Sequence, residues 1–191
     1  FQDGQGSHGE WAARTAGTHG NSIGVEICAT STAYEQVVAA LTVTEDAIGA
    51  VSVEVDDADT SGEAFNVGDL ISFFSDSGAT TPVDEFNEYE VTAINTSTNV
   101  LTVRLKDDPN GAGVQNIIPD NSYIKRRWKF YDLFDGAPGT TQWSTDNARG
   151  SGDELHVVVY DTTGDITGKI STAAGGRTAG VIETFGNMSK N

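Results

Sequence analysis

Three stretches of this sequence hold residue types at spacings that chemistry could use. Asp57-Ala-Asp59-Thr-Ser61-Gly62 sets oxygen donors at alternate positions ahead of a turning glycine, the opening of a calcium-loop pattern. The twelfth position, where a bidentate Glu closes such a loop, is Gly68, and the flanks read as strands instead of helices. An acidic, solvated β-turn is the first reading, with weak calcium binding as the alternative. Gly164-Asp-Ile-Thr-Gly168-Lys169 follows a hydrophobic strand, as a phosphate-cradling loop would. It is one residue short, Ile170 stands where a Ser or Thr must hold magnesium, and no strong helix follows to offer its N-terminus. Phosphate binding is rejected on those grounds.

The third stretch is Lys125-Arg126-Arg127-Trp128-Lys129, whose bases and aromatic could bind nucleic acid or another polyanion. In a strand, Tyr123, Lys125, Arg127 and Lys129 share one face, and Ile124, Arg126, Trp128 and Phe130 the other. On so acidic a chain, the expected use is an ion-pair strip within the fold or to a neighbouring subunit. His8, His19 and His156 have no metal-like spacing, Cys28 is the only cysteine, and there is no Gly-x-Ser-x-Gly elbow. No catalytic, metal-ligating or cofactor-binding residue is nominated, so the expectation is a protein without an enzymatic activity or cofactor of its own.

Composition narrows the partners. The 191 residues carry 28 acidic and 11 basic side chains, a formal charge of −17. Between Arg14 and Arg104 there are fifteen acids and no Lys or Arg. Such a surface repels phosphate backbones and anionic membranes, so neither nucleic acid nor membrane is an expected partner. One cysteine allows no intrachain disulfide, and no run approaches the ~20 apolar residues of a membrane helix. Phe1 opens directly into a polar, glycine-rich run, and the sequence reads as a piece cut from a longer protein.

The elements that must position these residues are mostly strands. Residues 1–22 are polar, with a short helical turn expected around Glu10–Arg14. Ile23–Ala29 reads as a buried strand. Ala33–Leu41 reads as a helix capped by Thr32, with Glu35 at the capping-box spacing and Tyr34, Val37, Val38 and Leu41 on one face. From Leu41 to Lys129 the period switches to two: Val51–Val55, Leu70–Phe74, Tyr89–Ala93, Leu101–Leu105, Ile117–Ile118 and Tyr123–Phe130. Five or six short strands in this span predict a small antiparallel barrel or sandwich. A short helix at Tyr131–Phe134 follows, and then Leu155–Tyr160, an apolar strand interrupted only by His156 and expected to be central and covered on both faces.

The simplest assembly pairs Ile23–Ala29 with Leu155–Tyr160 in a mixed sheet. The fold class is α+β: residues 1–42 and 128–191 form a mixed β-sheet domain with a few short helices, and residues 43–127 form an inserted β-barrel-like domain.

Four segments carry a family resemblance. They are Ala16-Gly-Thr-His-Gly-Asn-Ser-Ile-Gly-Val25, Trp128-Lys-Phe-Tyr-Asp-Leu-Phe-Asp-Gly-Ala-Pro-Gly139, Asp153-Glu-Leu-His-Val-Val-Val-Tyr-Asp161 and Glu183-Thr-Phe-Gly-Asn-Met-Ser-Lys190. In order, this series resembles the middle of the contractile tail sheath proteins of large tailed (myovirus-type) bacteriophages. Those proteins carry "AG-x-(W/H)-GNS", "DLFD-x-AP", "DELHVVV-x-D-x-x-G-x-I-x-G" and "V-x-E-x-F-x-x-x-SK" in the same order. The chain departs from the pattern at Lys169–Gly180, which is longer than the usual link, and it lacks the terminal regions that form the family's inner core.

The resemblance implies a structural part of a subunit that stacks in rings around a tail tube and contracts to drive it through the host envelope. Neighbouring sheath subunits and the tube would be its partners in the full-length protein, the virion its location after assembly in host cytoplasm, and a monomer the state of the piece alone. A reading from another class is a β-rich module of a phage or secreted protein that binds glycan or a cell surface, aided by calcium. Its sugar platform would be Phe65, Phe73, Phe74, Phe86 and Tyr89.

Overall fold

A computed structural model describes residues 17–58, 65–85, 87–108, 110–169 and 180–190. The expected turn at Glu10–Arg14 lies outside these residues. The chain folds into two antiparallel sheets with three helices of four or five residues and one 3₁₀ turn.

A helical turn, α1 (Thr18–Asn21), leads into β1 (Ile23–Cys28). Next come α2 (Ser31–Tyr34) and, without a break, β2 (Glu35–Leu41). This overturns the expected helix over Ala33–Leu41. Thr30, not Thr32, caps the helical turn by accepting from the Ala33 N–H, and the chain is already extended at Glu35 (φ −152°, ψ 135°). The Val37-Val38 pair favours a strand, and pairing with a distant basic strand outweighs the helical spacing.

The larger sheet continues with β3 (Ser52–Glu54), β4 (Leu70–Phe74), β5 (Tyr89–Asn95), β6 (Val100–Leu105) and β7 (Tyr123–Arg127), in the order β2-β7-β4-β5-β6-β3. The β5–β6 hairpin matches its period-2 pattern, with Val91 opposite Val103 and Ile94 opposite Leu101. Ile118 forms only an isolated bridge to Asp46 instead of a strand. The sheet's edges approach at one bridge, Thr42 to Val55, and it curls without closing, so the expected barrel is not formed. Its core gathers Val53, Val55, Phe65, Ile71, Phe73, Tyr89, Leu101 and Ile124, all at most 5% exposed. At that density of contact, removing a core Ile or Phe side chain costs about 2–5 kcal/mol.

After β7 come the 3₁₀ turn Tyr131–Leu133, α3 (Gln142–Asp146), β8 (Glu154–Asp161) and β9 (Val181–Ser189). The expected pairing of the two distant hydrophobic strands is present: Ile23 faces Asp161, Val25 faces Val159 and Cys28 faces His156. The sheet is β1-β8-β9, antiparallel throughout, where a mixed sheet was expected. β8 is central, but only one of its faces is covered.

On the inner face, Cys28 and Val158 pack with Tyr34, Trp128 and Phe130. The register sends Ile23, Val25, Ile27, Leu155, Val157, Val159, Phe185 and Met188 to the opposite face. There Ile23, Ile27, Phe185 and Met188 are 37–43% exposed.

Candidate functional site

The four segments that carry the resemblance lie far apart in sequence, and the fold brings them together on the small sheet. The first is tied down at Ser22. Its hydroxyl bonds Thr163 Oγ1 at 2.6 Å and Asp165 Oδ2 at 2.9 Å, and its carbonyl accepts from Thr162 N and Thr162 Oγ1. Gly24 is required beside it, because a Cβ there would sit 2.6 Å from the Tyr160 ring.

The second segment meets the third through aromatic and hydrogen-bonded contacts. Phe134 stacks on His156, and Phe130 packs on Tyr160 with ring centroids 5.4 Å apart. His156 Nε2 donates to Gly136 O at 2.8 Å, while Nδ1 accepts from Asn187 N at 3.1 Å, which assigns the Nε2–H tautomer. One buried ring thereby joins the second, third and fourth segments.

The fourth segment closes on the third. Asp153 accepts from Thr141 N, Thr141 Oγ1 and Ser189 Oγ, and its carbonyl accepts from Lys190 N. Lys190 Nζ donates to Ala29 O and Gly152 O, 2.7 Å each, joining the ends of β1 and β9 to the loop before β8.

The loop over Gly164–Lys169 has a different use from the phosphate cradle it suggests. Asp161 accepts from the N–H groups of Thr163, Gly164, Ile166 and Thr167 and from Thr167 Oγ1. The backbone donors that a phosphate would need are already given to a carboxylate of the same chain. Burial opposes ionisation of Asp161, but these donors outweigh it and hold its pKa down at about 2. Periodicity gave no sign of this role, although an Asp at a strand end before Thr-Thr-Gly is a known loop-organising pattern.

The basic strand is consumed internally. Lys125 and Arg127 pair with Glu35, Arg127 also reaches Glu88 at 2.9 Å, Lys129 pairs with Glu26, and Arg126 meets Asp69 at 3.3 Å. Alternation along Tyr123–Phe130 follows the expected faces, with Ile124, Arg126, Trp128 and Phe130 buried. Tyr131 completes the strip, its ring under Lys106 and Arg127 and its hydroxyl donating to Glu88 at 2.9 Å. These pairs join the turn after β7 to the larger sheet, and they hold the Arg127 guanidinium more firmly protonated than usual against the opposing effect of burial.

The remaining sequence candidates separate. Asp59, Ser61 and Gly62 of the acidic motif, His8, and Phe86 lie outside the described residues. Gly68 forms a turn at φ +96° whose N–H donates to Val91 O. His19 is exposed. Among the described residues no group of three or more His, Cys, Asp or Glu is arranged to hold a metal, and no helix is long and apolar enough to cross a membrane. The sugar platform is overturned at its described positions: Phe65, Phe73, Phe74 and Tyr89 are at most 5% exposed and form core. Burial pushes the Cys28 thiol up to about 11, which keeps it protonated and unreactive at neutral pH. The sequence matches no protein-family model and no curated protein.

Proposed function

We propose that this chain is the middle part of a phage contractile tail sheath subunit, a structural element without catalysis of its own. The observation that carries this reading is the convergence described above. Four segments chosen for their likeness to sheath proteins, spread from residue 16 to residue 190, hydrogen-bond and stack on one another around a three-stranded sheet. Resemblances arising by chance would have no reason to meet.

In this reading, residues 1–42 and 128–191 form the sheath-type unit. Residues 43–127 form a β-rich decoration, a curled open sheet in place of the expected barrel, with β2 and β7 joining the two. Contraction needs subunits that repack as rigid bodies, and the ion-paired seam around Glu35, Glu88 and Arg127 suits a piece that moves as a unit.

The uncovered apolar face of the small sheet supplies a surface for a neighbouring sheath subunit. A patch of this kind is in the roughly 300–600 Å² class. A stable pair needs about 800 Å² per partner, so the face is too small to hold two free copies together. The lattice would supply the remaining contacts.

Sedimentation velocity on the isolated chain tests this. The expected result is a monomer at micromolar concentration, and rings or fibres would count against it. A parent reading frame that continues past Asn191 into a polymerising domain would support the assignment. A frame without one would overturn it.

A further inference from the structure

At the seam between the two sheets lies a cavity of about 310 Å³, at the low end of the roughly 300–1,000 Å³ typical of small-molecule sites. Its floor is made by Cys28, Asp69, Arg126 and Trp128, none more than 8% exposed. Val67, 58% exposed, stands at its mouth.

The polar groups on that floor are incompletely used. Asp69 Oδ2 accepts from the backbone and side-chain nitrogens of Asn66 and from Arg126 Nη1, whereas Oδ1 accepts no hydrogen bond among the described residues. Arg126 gives Nη1 to Asp69 and Nη2 to Thr32 O, and its Nε is buried with no partner. Unsatisfied polar groups on side chains this buried are costly and uncommon in folded proteins.

The walls also restrict the charge of any occupant. Two acids, Glu26 and Asp69, stand against two bases, Lys129 and Arg126, each acid paired with a base. A free anion meets the carboxylates, and a free cation meets the guanidinium and ammonium. A neutral occupant that can donate to Asp69 Oδ1 and accept from Arg126 Nε completes the floor. Adjacent hydroxyls do both, and Trp128 with Ala33 offers an apolar wall for the C–H side of the same molecule. We propose that this cavity is a binding site for a neutral monosaccharide unit, held by Asp69 and Arg126 against Trp128. The site is separate from the rejected aromatic platform and does not depend on the sheath reading, so either can fail alone.

The test is a titration of the ¹⁵N-labelled chain with D-glucose, D-galactose, D-mannose and N-acetyl-D-glucosamine, followed through the amide resonances and the Trp128 indole. For at least one sugar we expect saturable shifts centred on Ala33, Asn66, Val67, Asp69 and Trp128. Val67→Trp, which plugs the mouth from an exposed position, abolishes them, and Asp69→Asn weakens binding about tenfold or more. Methyl glycosides and disaccharides of the binding sugar locate its source. Retained affinity identifies the terminal unit of a glycan, and lost affinity identifies a free sugar. No saturable shift with any of the four sugars, shifts that persist in Val67→Trp, or equal shifts with sodium sulfate or spermidine would overturn the assignment.

Discussion

Phe134 lies flat on His156, with ring centroids 4.2 Å apart and the planes 3° from parallel. The imidazole beneath it is fixed at both nitrogens, by Gly136 O and Asn187 N. Gly186 must be small for the same reason, since a Cβ there would lie 3.3 Å from the Phe134 ring. Phe134→Ala is expected to cost about 2 kcal/mol, because the ring is only half-buried. His156→Phe keeps the stack but loses both hydrogen bonds, at about 1–3 kcal/mol. Urea unfolding of the two variants measures both values.

Asp161 sets the acid limit of the small sheet. Its folded pKa, about 2, lies below the ordinary carboxylate value, so its contribution is complete above pH 4 and fades as pH falls through 2. Asp161→Asn should remove that part of the acid-unfolding curve. It should also loosen residues 162–168, read as faster amide exchange at Ile166 and Thr167. An unchanged acid limb would refute the role given to this carboxylate.

Asp46 behaves in the opposite sense. Its side chain is 9% exposed, Oδ2 has no partner, and burial with the nearby Glu54 charge raises its pKa to about 6. The raised value means that stability is greatest below pH 4 and declines as pH rises through 6. Asp46→Asn is expected to be about 1 kcal/mol more stable at pH 7 and to flatten the profile between pH 4 and 7. Denaturant midpoints across that range decide it.

Asp69 and Arg126 are both buried, at 1% and 6% exposure. Asp69→Ala strands the guanidinium and should cost about 3–5 kcal/mol. Lys125→Ala, at an exposed pair with Glu35, should cost no more than about 1 kcal/mol. Comparable losses for the two would mean that burial does not govern this strip.

What the sequence made legible was local alternation and one long-range match. The β5–β6 hairpin, the two faces of Tyr123–Phe130 and the pairing of Ile23–Ala29 with Leu155–Tyr160 all follow from period-2 patterns and apolar runs. Leu41 and Val37–Val38 misled because their spacing fits a helical face as well as a strand. The deciding information lies some ninety positions away, in the arginines and lysine that Glu35 and its neighbours meet. Phe73 and Phe74 were read as exposed because consecutive aromatics break alternation. In the structure all five residues of β4 are buried, so alternation does not apply there. The carboxylate caps at Asp153 and Asp161 were illegible for a different reason: a hydrogen bond from a loop amide leaves no periodic trace.

The strand order has a mechanical corollary. β1 and β9 flank β8 and run in the same direction, with Ile23 opposite Asp161 at one end of β8 and Ser189 opposite Glu154 at the other. Tension applied between Ser22 and Lys190 therefore pulls the outer strands past the middle one, loading all the interstrand hydrogen bonds at once instead of peeling them off singly. A piece built this way transmits a pull along its length with little stretch, and it yields only when the whole sheet shears.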